Sequence, residues 1–247
     1  MKKYLAWMLA ILLCLPLLLA APAAQADDRY LEINTSTFPD AIFRDWVIRN
    51  LPVSNNLGFY MTQADVMSVK RIECADLGIR SLKGVEHFTA LETLDCSGNE
   101  LTALDVGENP ALQYLFCYNN AITALQLKSN PALKVLRCNS NPLGTLDLSD
   151  HSKLEETVCG DCALRSLNLQ GCYGLFSLDC TCDMESELPN DLGTLDLSDA
   201  LNLESLSCGF CGIASLDVSE NANLKNLICY GNGLERSTSA RIRSCSN

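Results

Sequence analysis

Apolar and polar positions alternate along this chain with a long period as well as a short one. LETLDCSGNELTALDVGENPA begins at Leu91, LQYLFCYNNAITALQLKSNPA follows at Leu112, and LKVLRCNSNPLGTLDLSDHSK follows at Leu133. Aligned, they keep Leu, Leu, Cys, Asn, Leu or Ile, Leu, and Leu or Val in the same columns. Further units begin at Leu154, Leu175, Leu203 and Leu224, all spaced by 21 residues except Leu175 to Leu203, which is 28. An earlier unit starts near Val69, with Ile72, Cys74, Ile79 and Leu82 in the apolar columns. A fixed period near twenty residues predicts a repeat solenoid. Each unit buries its apolar edge only against its neighbours, so 69–234 forms one domain of about eight repeats.

Inside each unit the pattern LxxLxCxxN is followed ten residues on by LxxLxLxxN, as in Leu101-Thr102-Ala103-Leu104-Asp105-Val106-Gly107-Glu108-Asn109. The second half offers alternation, as in Leu146-Asp147-Leu148 and Leu195-Asp196-Leu197, and is too short for an outer helix. Two short strands per turn follow, with parallel β on both faces. Eight coils stacked at strand spacing make a rod of roughly 35–40 Å. Two Asn columns, Asn99, Asn120, Asn141, Asn232 and Asn109, Asn130, Asn221, sit at the turns, where a buried amide satisfies backbone groups of its own and the adjacent coil.

The segment before the repeats, 27–68, lacks the period. Ile42, Phe43, Trp46 and Val47 follow helical spacing after Pro39-Asp40, and Thr62 with Asp65 marks a second helix start before Val66 and Val69. A small helical N-terminal cap over the first apolar layer is the expected role.

The repeat columns identify the chain as resembling leucine-rich repeat proteins, specifically the nested 21-residue bacterial class, and the cap resembles the internalin-like cap of secreted bacterial members. In such caps an EF-hand-like or dockerin-like calcium loop often follows the helix. Here the corresponding loop, Ser54-Asn55-Asn56-Leu57-Gly58, has no carboxylate, so the resemblance carries the helix and not the metal. It implies a secreted or surface protein that binds a partner rather than an enzyme.

The first 26 residues read as a secretory signal peptide: Lys2 and Lys3, an apolar run from Leu5 to Leu19 interrupted by Pro16, then the small-x-small site Ala24-Gln25-Ala26. Cys14 lies mid-run and not at a lipoprotein cleavage point. The expected location is secreted, periplasmic or cell-surface, with no membrane insertion after cleavage. The whole chain carries a net charge of −12; loss of Lys2 and Lys3 makes it −14. An acidic chain without a basic patch is repelled by phosphate backbones, which sets nucleic acid aside.

Cysteine complicates the picture. Cys74, Cys96, Cys117, Cys138, Cys159, Cys180, Cys208 and Cys229 share one inward column, where a thiol is a small apolar filler. Parallel side chains in such a ladder disfavour disulfide geometry. Two CxxC pairs, Cys159/Cys162 and Cys208/Cys211, look like redox or zinc motifs. However, Cys162 and Cys211 stand in the first Asn column and Cys172 in the second, which favours structural thiols. Cys182 lies off the ladder; it and Cys245 are the expected exposed or oxidised thiols.

With Leu and Cys inward, the residues between them face outward on the first strand. In the Leu112 unit these are Tyr114, Phe116 and Tyr118, in a chain with 6% aromatics. The next coil adds Val135, Arg137 and Asn139, and the preceding one Thr93, Asp95 and Ser97. Aromatics and Arg dominate binding hot spots. Tyr114, Phe116, Tyr118, Arg137, Val135 and Asp95 are therefore the expected contacts with a protein or glycan partner. Aromatics also favour strands for packing reasons alone.

On the second face, Asp105, Asp147, Asp196 and Asp217 read as a solvated column. The insertion, in 181–191, brings Asp183, Glu185, Glu187 and Asp191 into a solvated acidic loop. His87 and His151 occupy repeat columns, His151 in place of an Asn. No catalytic triad order, HExxH or phosphate loop is present, so no catalytic residue, cofactor or metal is assigned. The tail, 235–247, is polar and offers only Ile242 and Cys245 as a minimal cap; an open end would permit oligomers. A thiol-redox or metal protein, or a structural envelope component, is the competing reading.

Overall fold

The computed structural model describes residues 30–56 and 58–234. The signal-peptide reading, the tail and Cys245 lie outside the described residues.

The cap is built on one carboxylate. Asp40 caps a helix over Ala41–Asn50, its Oδ1 accepting from Ile42 N at 2.9 Å and Phe43 N at 3.0 Å. Its Oδ2 accepts from Arg80 N at 2.8 Å and Ser81 N at 3.2 Å, which ties the helix to the first coil. Burial alone would raise this carboxyl; the amides of Phe43, Arg80, Ser81 and Ile42 together hold it below its ordinary value. Phe43 and Val47 are buried and Trp46 half-buried, but Ile42 is exposed. The apolar stripe is thus narrower than its spacing suggests.

The second helix, Gln63–Ser68, opens with a capping box: Thr62 Oγ1 accepts from Asp65 N and Asp65 Oδ2 accepts from Thr62 N. Leu31–Glu32 pairs antiparallel with Tyr60–Met61, and the Ser54 and Tyr60 backbones bond to each other across the loop. Phe38 bridges cap and solenoid, its ring 5.7 Å from that of Phe43 and 6.2 Å from that of Phe88. Gly84, at φ 109°, makes room for it: a Cβ there would lie 2.3 Å from the Phe38 ring.

From Arg71 onward the chain winds in parallel coils. One strand per coil enters a single eight-stranded parallel sheet: Arg71–Glu73, Thr93–Asp95, Tyr114–Phe116, Val135–Arg137, Glu156–Val158, Ser177–Asp179, Ser205–Ser207 and Asn226–Ile228. They define coils 1 to 8. The middle residue of each strand points inward; Ile72, Leu94, Leu115 and Leu136 are fully buried, each contributing about 1.5–3 kcal/mol of apolar burial. In coil 5 that position is Thr157, whose buried Oγ1 has no hydrogen-bond partner.

The opposite face is also parallel strand, in three separate pairs: Leu104–Asp105 with Leu125–Gln126, Thr145–Asp147 with Ser166–Asn168, and Thr194–Leu195 with Ser215–Leu216.

The first Asn column explains both the stacking and the breaks. Asn141 Nδ2 donates to the carbonyls of Cys117, Cys138 and Asn139, while its Oδ1 accepts from Ile122 N of the coil before. Asn99, Asn120 and Asn232 do the same. Coil 6 uses Asn190, whose Oδ1 accepts from Cys162 N and Leu164 N. The seven extra residues therefore lie between Cys182 and Asn190.

In coils 5 and 7 the column holds Cys162 and Cys211. Each thiol donates to backbone carbonyls, Cys162 to Cys138 and Gly160, and Cys211 to Cys180 and Gly209. Neither side chain offers an oxygen to the preceding coil, where Gly144 N and Leu192 N bond the Cys162 and Cys211 backbone carbonyls. There the chain tightens instead: Thr145 N bonds Leu143 O and Thr194 N bonds Leu192 O, across Gly144 (φ 70°) and Gly193 (φ 64°). These are γ-turns that favour glycine. Both breaks in the second face fall at these two turns.

Candidate functional site

The strand register sets Thr93, Tyr114 and Val135 in one row across coils 2 to 4, and Asp95, Phe116 and Arg137 in the next. Five of the six expected contacts thus form one patch, and Tyr118 adjoins it one residue past Cys117. The Arg137 guanidinium lies 5.8 Å from the Phe116 ring centroid, within cation–π range. Its Nε and Nη2 reach Glu156 Oε1 at 3.0 and 2.7 Å. That ion pair holds the guanidinium over the ring.

Tyr114 is 37% exposed and Arg137 exposed; Phe116, Tyr118, Val135 and Asp95 are half-buried. Thr93 and Ser97, read from the sequence as outward-facing, are buried at 5% and 2%. They are short side chains between longer neighbours: Thr93 lies in register between Arg71 and Tyr114. Ser97 Oγ donates to Asp95 Oδ1 at 2.7 Å.

A second exposed group was not singled out in the sequence. Ile228 and Tyr230 are 45% and 40% exposed on coil 8, and Phe210 meets Tyr230 edge-on at 5.2 Å. The signal was present: Ile228 stands in the Phe116 column, and Cys229-Tyr230 repeats Cys117-Tyr118.

Eleven described cysteines are free and buried. Cys182 is among them, 2% exposed, which corrects its reading as an exposed thiol. It sits two residues past ladder Cys180, and Asn190 N donates to its Sγ at 3.1 Å, so the inserted loop leaves and returns around it. Cys229 departs from the filler reading of the ladder: it is disulfide-bonded. Burial pushes the Cys74 and Cys208 thiols up to about 12, and Cys172 up to about 11. Burial likewise holds Cys159 well above its ordinary value. Thiols held neutral are poor nucleophiles and poor metal ligands. Among the described residues no group of three or more His, Cys, Asp or Glu is placed to hold a metal ion.

On the second face, Asp105, Asp147, Asp196 and Asp217 each accept from the amide two residues on, at 2.9–3.1 Å. The Ser149 hydroxyl and amide, and the Ser198 and Ser219 amides and hydroxyls, hold Asp147, Asp196 and Asp217 below the usual carboxylate range. These carboxylates cap their own turns. His151, 3% exposed, takes an Asn place with ring nitrogens 3.1 Å from the carbonyls of Leu148, Ser149 and Leu127. Asp183, Glu185 and Glu187 of the inserted loop are solvent-exposed.

No helix among the described residues is long and apolar enough to cross a membrane. No family model matches the chain, and no curated protein matches it in sequence. Solved structures do. The functional domain of InlJ from Listeria monocytogenes, described as including a cysteine ladder, is 24% identical with a TM-score of 0.56, over 83% of this chain and 48% of that one. Internalin C2 from the same organism is 18% identical with a TM-score of 0.67, over 88% and 95%. Toll, in its Drosophila complex with Spätzle, is 18% identical with a TM-score of 0.51, over 66% and 23%. The chain spans about half the length of the InlJ domain. These likenesses, with the coils and columns described above, establish a leucine-rich repeat β-solenoid of the kind seen in the bacterial internalins.

Proposed function

We propose that this chain is a secreted, periplasmic or surface-exposed bacterial binding protein, without catalytic activity. It engages a protein or glycan through the strand-lined face at Tyr114, Phe116, Tyr118, Val135, Arg137 and Asp95. The observation that carries the reading is the Phe116–Arg137–Glu156 arrangement: an aromatic and a guanidinium pre-ordered side by side on adjacent coils. Pre-ordering lowers the entropy lost on binding. Toll, of the same fold, is seen in complex with Spätzle, which supports a protein partner.

The test is a triple variant, Tyr114→Ser, Phe116→Ser and Tyr118→Ser, used as bait in pull-downs from host-cell and bacterial surface extracts. The proposal expects circular dichroism to match the parent and the captured partner to disappear. Capture that persists unchanged overturns it.

A further inference from the structure

The turn after every ladder cysteine except Cys180 contains a residue in the left-handed region. Along the stack these are Asp76, Gly98, Asn119, Ser140, Asp161, Phe210 and Gly231, at φ between 54° and 67°. Six are residue types that tolerate this conformation or are small and polar. Phe210, at φ 55°, is not; for a bulky side chain this is a true outlier. Strain of this kind persists where something else requires the side chain.

The Phe210 ring is half-buried, one side packed against the core and the other in aromatic company. It contacts exposed Tyr230 edge-on, and the backbones beside the two rings are glycine: a Cβ on Gly231 would lie 2.2 Å from the Phe210 ring and one on Gly209 2.9 Å from Tyr230. Ile228 extends the patch.

Charge is uneven along the chain, and Lys225, at the start of the coil that carries Ile228 and Tyr230, is paired with Glu204 at 2.8 Å. Between residues 30 and 137 the chain holds nine cations and twelve carboxylates, whereas between 138 and 224 it holds only Lys153 and Arg165 against fifteen carboxylates. Close to Phe210 on the adjacent coil, Cys182 N bonds Gly209 O, and Asp183 follows with its amide on Asp161 Oδ1.

We propose that Phe210, Tyr230 and Ile228, flanked by Asp161 and Asp183, form a second docking surface, for a lysine- and arginine-rich segment of a protein partner. The ring faces attract the cations and the carboxylates supply the opposite charge. The surface is separate from the Tyr114 patch, and its test uses none of those residues.

The probe is a fluorescein-labelled peptide of alternating Lys, Arg and Gly, followed by polarisation with the full chain at physiological salt, beside a Glu-substituted control peptide. The proposal expects Phe210→Asn to weaken binding at least about fivefold while circular dichroism at the assay temperature matches the parent. Asp183→Asn, on the surface, weakens binding about two- to threefold, and Asp196→Asn, on the opposite face, leaves it unchanged. Parent-like binding by both Phe210→Asn and Asp183→Asn overturns the proposal. Equal weakening by Asp196→Asn also overturns it, since that is diffuse charge only. Stronger binding after Arg236, Arg241 and Arg243 are changed to Ala overturns it too, since the chain's own arginines would then be the occupant.

Discussion

The two faces of this solenoid are written in nearly the same half-repeat, yet one is an unbroken eight-stranded sheet and the other three separate pairs. The difference lies beneath them. In the first Asn column both ends of the amide are used: Nδ2 collects carbonyls and Oδ1 takes an amide from the coil before. In the second column only Nδ2 is used; the buried Oδ1 atoms of Asn109, Asn130 and Asn221 have no partner. That asymmetry explains what each column tolerates. The second accepts Cys172, His151 and Ala200, and the ring nitrogens of His151 and the thiol of Cys172 take over carbonyls that the amide would bond. The first accepts Cys162 and Cys211 only with a glycine γ-turn in the preceding coil, and the second face breaks there. Both breaks in the second face coincide with a missing side-chain oxygen in the first column.

The sharpest way to break this comparison is to remove one amide from each column. Asn141→Leu leaves the buried Ile122 N without a partner, while the Cys117 and Cys138 carbonyls keep the Asn120 amide and the Cys162 thiol; it should cost about 3 kcal/mol in urea unfolding. Asn109→Leu removes two bonds to the carbonyls of Val85 and Phe88, each of which keeps a backbone donor, and removes an orphaned oxygen, so about 1 kcal/mol is expected. Equal losses would refute the asymmetry.

A double-mutant cycle sharpens the γ-turn link. Gly144→Ala alone should cost about 1 kcal/mol through its positive φ. Combined with Cys162→Asn, which restores an oxygen for Leu143 N, the penalty should shrink, giving a coupling of about 1 kcal/mol; additive effects would separate the turn from the column. Within the first face, Thr157→Val removes a buried unpaired hydroxyl and should stabilise by about 1 kcal/mol in the same assay.

The smallest effect is in alkaline pH. Thiols whose folded values lie above 9.0 favour the neutral form in the fold. Their contribution is complete below pH 9 and declines as pH rises through the folded values. Cys172, beneath the second face, should ionise near pH 11, before Cys74 and Cys208 beneath the first, near 12. Thiolate absorbance at 240 nm, followed in Cys172→Ala and Cys74→Ala, checks the order.

Much of this was legible in the sequence because a repeat restates its own evidence. The Leu and Cys columns, the cap helices and the Thr62–Asp65 box all appear where the pattern puts them. The losses came where one coil departs from the rest. Sequence spacing set Cys182 off the ladder as exposed, because nothing local shows that a loop folds around it to Asn190. Thr93 and Ser97 have the parity of surface residues but lie under longer neighbours, which depends on side-chain length across coils. The Tyr114 patch was visible as three aromatics in one unit. The Phe210–Tyr230 pair is split between two coils, 20 residues apart in the chain, and so is not visible as a cluster.

The insertion between Cys182 and Asn190 has one more consequence. It leaves the coil after a residue in the turn and returns on an Asn that restores both interactions of the column. Because added loop length costs little once the ends are fixed, this corner is a natural graft point: foreign peptides of varied length should be carried there, displayed beside the strand face, provided that an asparagine closes the splice.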